Sequence, residues 1–225
     1  MIDPGEVFRT PLFANRVDAG RQLAAHLTHL AGRDRLIVLG LPRGGLPVAA
    51  EVAGALGAPL DLLVVRKLGV PGREELAMGA VASGGLRVIN ADVVAALGIS
   101  DLTVDKVTAV EQRELARRER AYRGDRPMPD LAGASILLVD DGVATGSTML
   151  AAIRALRQHH PAMLVAAAPV MSQQAMADLE READACIALA TPEPFYGVGA
   201  WYGDFSQTTD AEVVALLDEA RRARL

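Results

Sequence analysis

The stretch "LLVDDGVATGSTM" at residues 137–149 sets two acids at the end of an apolar run and follows them with small and hydroxylated residues. A short run that is apolar throughout is typical of a strand buried on both faces, as in a parallel sheet. Asp140 and Asp141, called the acid pair below, then stand where the strand ends, and Gly142 permits a tight turn. We expect a strand, an acidic turn and the start of a helix, in that order.

The rest of the chain repeats this alternation of short apolar runs and longer helical patterns. Apolar runs predict strands at 35–41, 59–67, 135–141, 162–170 and 184–190. Periodicity and breakers predict helices at 15–31, 46–57, 101–122, 147–159, 172–182 and 210–224. A turn at 83–85 predicts a hairpin. Strands that alternate with helices indicate a doubly wound α/β fold, with a mostly parallel sheet and helices on both faces.

The composition indicates a globular, slightly acidic chain of 225 residues. Its net charge of −5 gives no general basic field, so nucleic acid is not an expected partner. The apolar runs are too short to cross a bilayer and the first residues show no leader pattern, so we expect a cytoplasmic protein that does not bind membranes. The single cysteine, Cys186, is expected to be a buried thiol in a core strand. Without a linker or repeat, residues 1–225 are expected to form one domain.

The acidic turn and the helix start combine two kinds of binding group. In an open α/β sheet, ligands lie beyond the carboxyl ends of the strands. The hydroxyls and backbone N–H groups of 144–148 suit a phosphate monoester, while the acid pair can accept hydrogen bonds from a vicinal diol. A phosphate beside a diol describes a ribose 5-phosphate. On spacing alone, an ordinary turn followed by a helix N-cap stays open as the alternative.

The stretch "ILLVDDGVATGSTM" resembles the 5-phosphoribosyl-1-pyrophosphate (PRPP) motif of the type I phosphoribosyltransferases, which has apolar residues, two acids, a short turn and T-G-x-T. The resemblance implies the type I fold with a small hood. It also implies that Asp140 and Asp141 bind the ribose hydroxyls during catalysis. The residues implied to cradle the 5-phosphate are Ala144, Thr145, Gly146, Ser147 and Thr148.

A second stretch, "GLPRGGLPVA" at 40–49, resembles the pyrophosphate loop of the same family. The resemblance implies that Arg43 and the backbone of Gly44 and Gly45 contact the leaving group. Taken alone, the stretch also fits a strand-to-helix turn with a solvated arginine.

A third stretch, "VVRKLGVPGREELAMG" at 64–79, resembles the strand and flexible loop of adenine-type members. By this resemblance Arg66 and Lys67 are catalytic groups that contact pyrophosphate, and 68–77 form a flexible loop that closes over PRPP. The alternative is a surface hairpin with a charged rim. All three stretches occur in the order of the family, which strengthens the combined interpretation.

The patterns "LPRGG", "VRKLG.P" and "DDG.ATG.T" occur together in a group of phosphoribosyltransferases of uncertain substrate, which this chain resembles. Ala144 departs from the 6-oxopurine enzymes, which carry an aspartate at that place. Hypoxanthine and guanine are therefore not the expected acceptors.

Residues 191–209, called the hood segment below, hold five of the eight aromatic residues and show no regular period. We expect this segment to lie over the end of the sheet. The side chains expected to stack on a planar acceptor are Phe195, Tyr196, Trp201 and Tyr202. The alternative is that these rings seal the sheet edge or a dimer contact.

The resemblance implies a transferase of nucleotide metabolism that moves the 5-phosphoribosyl group of PRPP to a nucleobase-like acceptor and releases pyrophosphate. Mg²⁺ is the expected cofactor, held mainly by substrate oxygens and water rather than by dedicated protein ligands. A homodimer is expected from the resemblance alone. Two other functions stay open: a PRPP-binding regulatory module without turnover, and a hydrolase of a phosphoribosyl compound.

Overall fold

The computed structural model describes residues 11–223, apart from the side chain of Glu75. Five strands form a parallel sheet in the order β2-β1-β6-β7-β8, and three form an antiparallel sheet in the order β3-β4-β5. The strands are β1 (Leu36–Gly40), β2 (Leu60–Leu62), β3 (Val65–Val70), β4 (Arg73–Ala82), β5 (Leu86–Ile89), β6 (Ser135–Val139), β7 (Met163–Val170) and β8 (Ala185–Ala190). The first ten residues, where we found no leader pattern, and residue 224 of the predicted last helix lie outside the described residues.

The helices confirm all six helical predictions and add one. They are α1 (Arg16–His26), α2 (Gly45–Leu56), α3 (Ala91–Ala96), α4 (Asp101–Arg123), α5 (Ser147–Arg157), α6 (Gln173–Leu179) and α7 (Asp210–Arg222). The added helix, α3, has six residues, too few to show an amphipathic period, and begins where the side chain of Asn90 accepts the N–H of Val93. Within residues 11–223, no helix combines the length and apolar character needed to cross a membrane.

The parallel sheet separates two hydrophobic cores, because its central strands are buried along their whole length. Val38 and Leu137 point to the core shared with α1, α2 and α7. Leu39 and Leu138 point to the opposite core, shared with α5 and α6. The alternation within each strand therefore places helices on both faces, and the predicted α/β fold is confirmed.

Three loops meet at the carboxyl edge of this sheet. Gly40 at the end of β1 is in register with Val139 at the end of β6. The N–H of Leu41 donates to the carbonyl of Val139 at 2.9 Å, and the N–H of Leu63 donates to the carbonyl of Gly40 at 3.1 Å. The segments that follow β1, β2 and β6 therefore start side by side.

The apolar run at 59–67 forms two strands instead of the single strand predicted from it. At the end of β2, the buried guanidinium of Arg123 donates to Asp61 at 3.2 Å and to the carbonyl of Leu62 at 2.7 Å. This polar anchor interrupts the run, and the chain continues into the antiparallel sheet. Residues 68–77 form the facing arms of β3 and β4, and the predicted turn at 83–85 joins β4 to β5 as expected.

The position of Cys186 differs from the prediction. It lies in β8, which is the outer strand of the parallel sheet, and its side chain is half-buried rather than buried. Its thiol contacts the sulfur of Met171 at 3.5 Å. A run of small apolar residues predicts a strand covered by helices, but it does not show whether a neighbouring strand pairs with each of its two edges.

Candidate functional site

The acid pair follows β6 at the carboxyl edge and packs against the glycines that follow β1. A Cβ atom on Gly44 would overlap Oδ2 of Asp141, and one on Gly45 would lie 2.8 Å from the carbonyl oxygen of Val139 and 2.9 Å from Cα of Asp140. Real Cβ atoms do not approach other atoms so closely. The loop after β1 therefore needs glycine at both positions to approach the acidic turn.

The two carboxyl groups of the acid pair lie in a half-buried, mutually repelling arrangement. Burial, followed by the negative charge of Asp141, raises the pKa of Asp140 well above its usual value. Oδ1 of Asp140 accepts the backbone N–H of Asp141 at 2.9 Å. Oδ2 of Asp141 accepts Nε of Arg16 at 2.7 Å, which places one positive charge against the pair.

The cradle at 144–148 leads directly into α5. Gly146 is left-handed, with φ of 74°, and is the N-cap of the helix. The hydroxyls of Thr145 and Ser147 lie 3.1 Å apart, and the carbonyl of Ala144 accepts the hydroxyl of Ser172 at 2.6 Å. Ala144, Thr145 and Thr148 are exposed. The first N–H groups of a helix have no partner within the helix, so this turn offers donors and hydroxyls to an anion.

The three predicted pyrophosphate-binding cations differ in their surroundings. Arg43 follows β1, and its guanidinium lies 3.6 Å from the carboxylate of Asp210 at the start of α7. Arg66 in β3 is half-buried and pairs with Glu111 of α4 at 2.6 Å. Lys67 is exposed. β3 begins close to the carboxyl edge, so all three cations lie in segments that start at this edge. Carboxylates of α7 and α4 contact Arg43 and Arg66.

The hood segment lies over the acidic turn. Gly142 carries no Cβ, and one placed there would overlap the side chain of Val198. The segment also pairs with the chain before α1, since the N–H of Phe13 donates to the carbonyl of Trp201 at 3.1 Å and the N–H of Gly203 donates to the carbonyl of Phe13 at 2.8 Å. The residues just before α1 and the hood segment therefore cover this part of the sheet together.

The four aromatic side chains predicted to stack on an acceptor are placed in different environments. Trp201 and Tyr202 are only 4% and 5% exposed, in a core cluster with Phe13. Phe195 is half-buried against the same cluster, while Tyr196 is 71% exposed. The faces of the two most buried rings are covered by protein, so these rings support the hood in this structure. Their predicted stacking on an acceptor stays a prediction.

Sequence reasoning missed three contributors to the site. Arg16 reaches Asp141 across 125 positions of the chain, and no local spacing signals such a contact. Phe205 carries the guanidinium of Arg16 on its ring, with the guanidinium carbon 3.9 Å from the ring centroid. The hydroxyl of Tyr202 donates to the backbone carbonyl of Asp141, a role we had not predicted for this residue. The density of aromatic residues in the hood segment was the only sequence signal for the last two.

The chain is similar to proteins of one family over most of its length. Residues 12–190 match the family description "Phosphoribosyl transferase domain". A Mycobacterium tuberculosis (strain CDC 1551 / Oshkosh) protein named "Putative phosphoribosyl transferase MT0597" is 48% identical over 211 residues, which are 94% of this chain and 47% of that protein. The chain thus spans about half the length of this curated relative.

A solved structure gives the same result. The crystal structure of TT1426 from Thermus thermophilus is 42% identical, with a TM-score of 0.83, and the match covers 92% of this chain and 98% of that one. Sequence and fold therefore agree over the strands and loops that build the candidate site. The chain belongs to the phosphoribosyl transferase family, and its parallel sheet with helices on both faces is the type I fold that the sequence predicted.

Proposed function

We propose that this protein transfers the 5-phosphoribosyl group of PRPP to a ring nitrogen of a planar, nucleobase-like acceptor and releases pyrophosphate. The observation that carries the proposal is the contact between the glycine loop after β1 and the acid pair after β6, beside the cradle at 144–148. A loop for pyrophosphate, carboxylates for a diol and a helix start for a phosphate monoester match the three parts of PRPP.

In the proposed reaction, the bond between C1 of the ribose and the pyrophosphate oxygen breaks, and its electron pair leaves with pyrophosphate. The acceptor nitrogen forms the new bond to C1, and the proton of that nitrogen passes to solvent. Positive charge grows on the ribose ring in the transition state, as in glycosyl transfer generally. Asp140 and Asp141 orient the ribose hydroxyls and favour the positive ring.

Mg²⁺ is proposed as the cofactor and enters the site with PRPP. Among residues 11–223, no group of three or more His, Cys, Asp or Glu side chains is arranged to hold a metal ion. We propose that Mg²⁺ would be held mainly by substrate oxygens and water, which it retains readily. Such a cation neutralises the negative charge of the leaving group.

Arg43, Arg66 and Lys67 are proposed to stabilise the departing pyrophosphate. A well-placed donor aimed at developing negative charge typically contributes about 2.7 to 4 kcal/mol to the transition state. In the structure, Arg43 faces Asp210 and Arg66 pairs with Glu111. Pyrophosphate therefore competes with these carboxylates for the two guanidinium groups. Residues 68–77 are proposed to close over PRPP and exclude water.

The acceptor is proposed to bind between the acidic turn and the hood segment. Of the four rings predicted to stack, Tyr196 is the most exposed, at 71%, and it is the proposed stacking surface, whereas the ring of Phe205 already carries the guanidinium of Arg16. A stacked base contributes about 1 to 3 kcal/mol in single-strand binding proteins, which sets the scale for one such contact.

The test is pyrophosphate release from PRPP with Mg²⁺, measured with pooled purine and pyrimidine bases and without any base. The variant Asp140→Asn/Asp141→Asn removes the acid pair. The matched control is Asp130→Asn, because Asp130 is 75% exposed, pairs with Arg35 and precedes β6 at the opposite edge of the sheet. Release that requires a base, persists in the control and disappears in the double variant supports the transferase.

The other outcomes separate the remaining functions. Pyrophosphate release that is independent of any base indicates hydrolysis with water as acceptor. Stabilisation of the protein by PRPP against heat, without release, indicates a regulatory module or an acceptor outside the pool. Absence of both release and stabilisation overturns the proposed PRPP site.

A further inference from the structure

Arg16 is the one cation in direct contact with the acid pair among residues 11–223. It is the first residue of α1, yet its Nε donates to Oδ2 of Asp141 at 2.7 Å. The two side chains are only 12% and 13% exposed, so water screens this ion pair weakly. The contact therefore belongs to the interior of the candidate site rather than to a solvated surface.

The guanidinium of Arg16 is fixed from three sides. Besides Asp141, its Nη1 donates to the carbonyl of Ser206 at 2.6 Å. Its central carbon lies 3.9 Å from the ring centroid of Phe205, a distance at which a cation is attracted to an aromatic face. Arginine suits this arrangement because its planar group can stack and donate at the same time.

The same contacts continue around Asp141. The ring of Phe205 lies against the ring of Tyr202, with centroids 5.0 Å apart. The hydroxyl of Tyr202 in turn donates to the backbone carbonyl of Asp141. Arg16 therefore holds the side chain of Asp141 and Tyr202 holds its main chain, and both residues contact the ring of Phe205. The carboxylate of Asp141 consequently has little freedom to rotate.

This arrangement matters because the carboxylates of Asp140 and Asp141 repel each other. Burial, followed by the charge of Asp141, raises the pKa of Asp140 well above its usual value, although the charge of Arg16 lowers it. Tyr202, the other ionisable group beside the pair, stays neutral because burial raises its pKa as well. A protonated carboxyl group would donate one hydrogen bond where a ribose hydroxyl needs an acceptor.

We propose that Arg16 is a positioning residue for the ribose site, which holds the carboxylate of Asp141 in the orientation that accepts a ribose hydroxyl. This inference rests on the proposed PRPP site. Arg16 acts through Asp141 and needs no contact with the reacting atoms.

The first measurement uses the protein without PRPP and follows the carboxyl carbons of the acid pair by ¹³C NMR as the pH changes. Arg16→Gln is expected to move the apparent titration of Asp140 to higher pH, because it removes a positive charge that lowers the pKa of this carboxyl group. Arg16→Lys keeps the charge and is expected to titrate near the wild type. Arg21→Gln is the matched control, because Arg21 lies in the same helix, is 69% exposed and pairs with Glu51.

The second measurement is the Kd of PRPP with Mg²⁺ for the same variants, by calorimetry. Arg16→Gln is expected to weaken PRPP binding about tenfold or more, the scale of one lost charged hydrogen bond. Arg16→Lys is expected to restore most of the affinity, and Arg21→Gln to bind as the wild type does.

The two measurements separate the two proposals. If the wild type does not bind PRPP, the proposed PRPP site is overturned, and the titration still decides whether the charge of Arg16 acts on Asp140. If the wild type binds PRPP and Arg16→Gln changes neither the titration nor the affinity, the role of Arg16 is overturned while the PRPP site stands. A thermal unfolding curve for each variant shows whether it folds. If Arg16→Gln does not fold, the affinity of Arg16→Lys for PRPP provides the test.

Discussion

Gly44 lies against Asp141 so closely that a Cβ atom on the glycine would overlap Oδ2 of the carboxylate. The same carboxylate oxygen accepts Nε of Arg16, which is itself held by Ser206 and Phe205. The carboxylate is therefore confined between a backbone and a fixed guanidinium. The predicted pyrophosphate loop can lie this close to the predicted ribose site only because residue 44 is a glycine and carries no Cβ atom.

Gly44→Ala is expected to displace the carboxylate of Asp141, because neither the backbone nor Arg16 can yield easily. We expect a loss of about 1 to 3 kcal/mol in the free energy of unfolding, the usual cost of overpacking, and at least a tenfold weaker binding of PRPP, which corresponds to about 1.4 kcal/mol. Denaturant unfolding and calorimetry measure the two effects.

The control for this change is Gly54→Ala in α2, where nothing lies within 4 Å of the added Cβ atom. Alanine in a helix interior is more stable than glycine by about 0.5 to 1 kcal/mol, so this variant should be slightly more stable than wild type and bind PRPP unchanged. Equal binding by the two variants would contradict the packing argument for Gly44.

The parts of this site that the sequence predicted are those in which structure and chemistry are local. The strand, turn and helix start at 135–149 occupy one continuous segment, so apolar run, acids and glycine are all visible together. β1 and β6 pair in parallel along their whole length, so their carboxyl ends lie side by side. The predicted acids, glycine loop and cradle therefore meet at one edge.

The parts that could not be predicted depend on contacts between distant segments. Arg16 and Asp141 are 125 positions apart, and an arginine at the start of a helix is ordinarily a solvated residue. The aromatic residues of the hood segment were visible, but which rings are buried depends on how Phe13 packs beneath them. The sequence shows that aromatic residues are concentrated in the hood segment, but it does not show which ring faces are covered by protein.

Tyr202→Phe is expected to destabilise the protein by about 0.5 to 1.5 kcal/mol, because the ring stays in its core while the hydrogen bond to the carbonyl of Asp141 is lost. Tyr122→Phe is the matched comparison, since its ring is also buried but its hydroxyl donates to Asp210, whose side chain is 63% exposed. Urea unfolding should show the larger loss for Tyr202→Phe, and a weaker affinity for PRPP in that variant alone. The reverse order would show that the carbonyl of Asp141 does not need this donor.

Arg123→Met is expected to cost about 3 to 5 kcal/mol of unfolding free energy, because it leaves the carboxylate of Asp61 buried without its partner. The double variant Arg123→Met/Asp61→Leu removes both charges and should recover most of this loss. Arg113→Met, on the exposed side of the same helix, should change stability by less than about 0.5 kcal/mol. If Arg123→Met were as stable as Arg113→Met, the ion pair between Arg123 and Asp61 would not anchor α4 to β2.

Alkylation of Cys186 by iodoacetamide should be slow at neutral pH, because burial, followed by the charge of Glu180, raises the pKa of the thiol to about 11. The thiolate is the reactive form, so the rate should rise about tenfold per pH unit from neutral pH up to the pKa. The pKa is higher in the folded than in the unfolded chain, so the contribution of this group to stability is complete below the ordinary value of 9.0 and is lost as the pH rises through about 11. Mass spectrometry of the folded and the urea-unfolded protein measures the rates, with Cys186→Ala as the blank. Rapid labelling of the folded protein at neutral pH would show that this edge of the sheet opens to solvent.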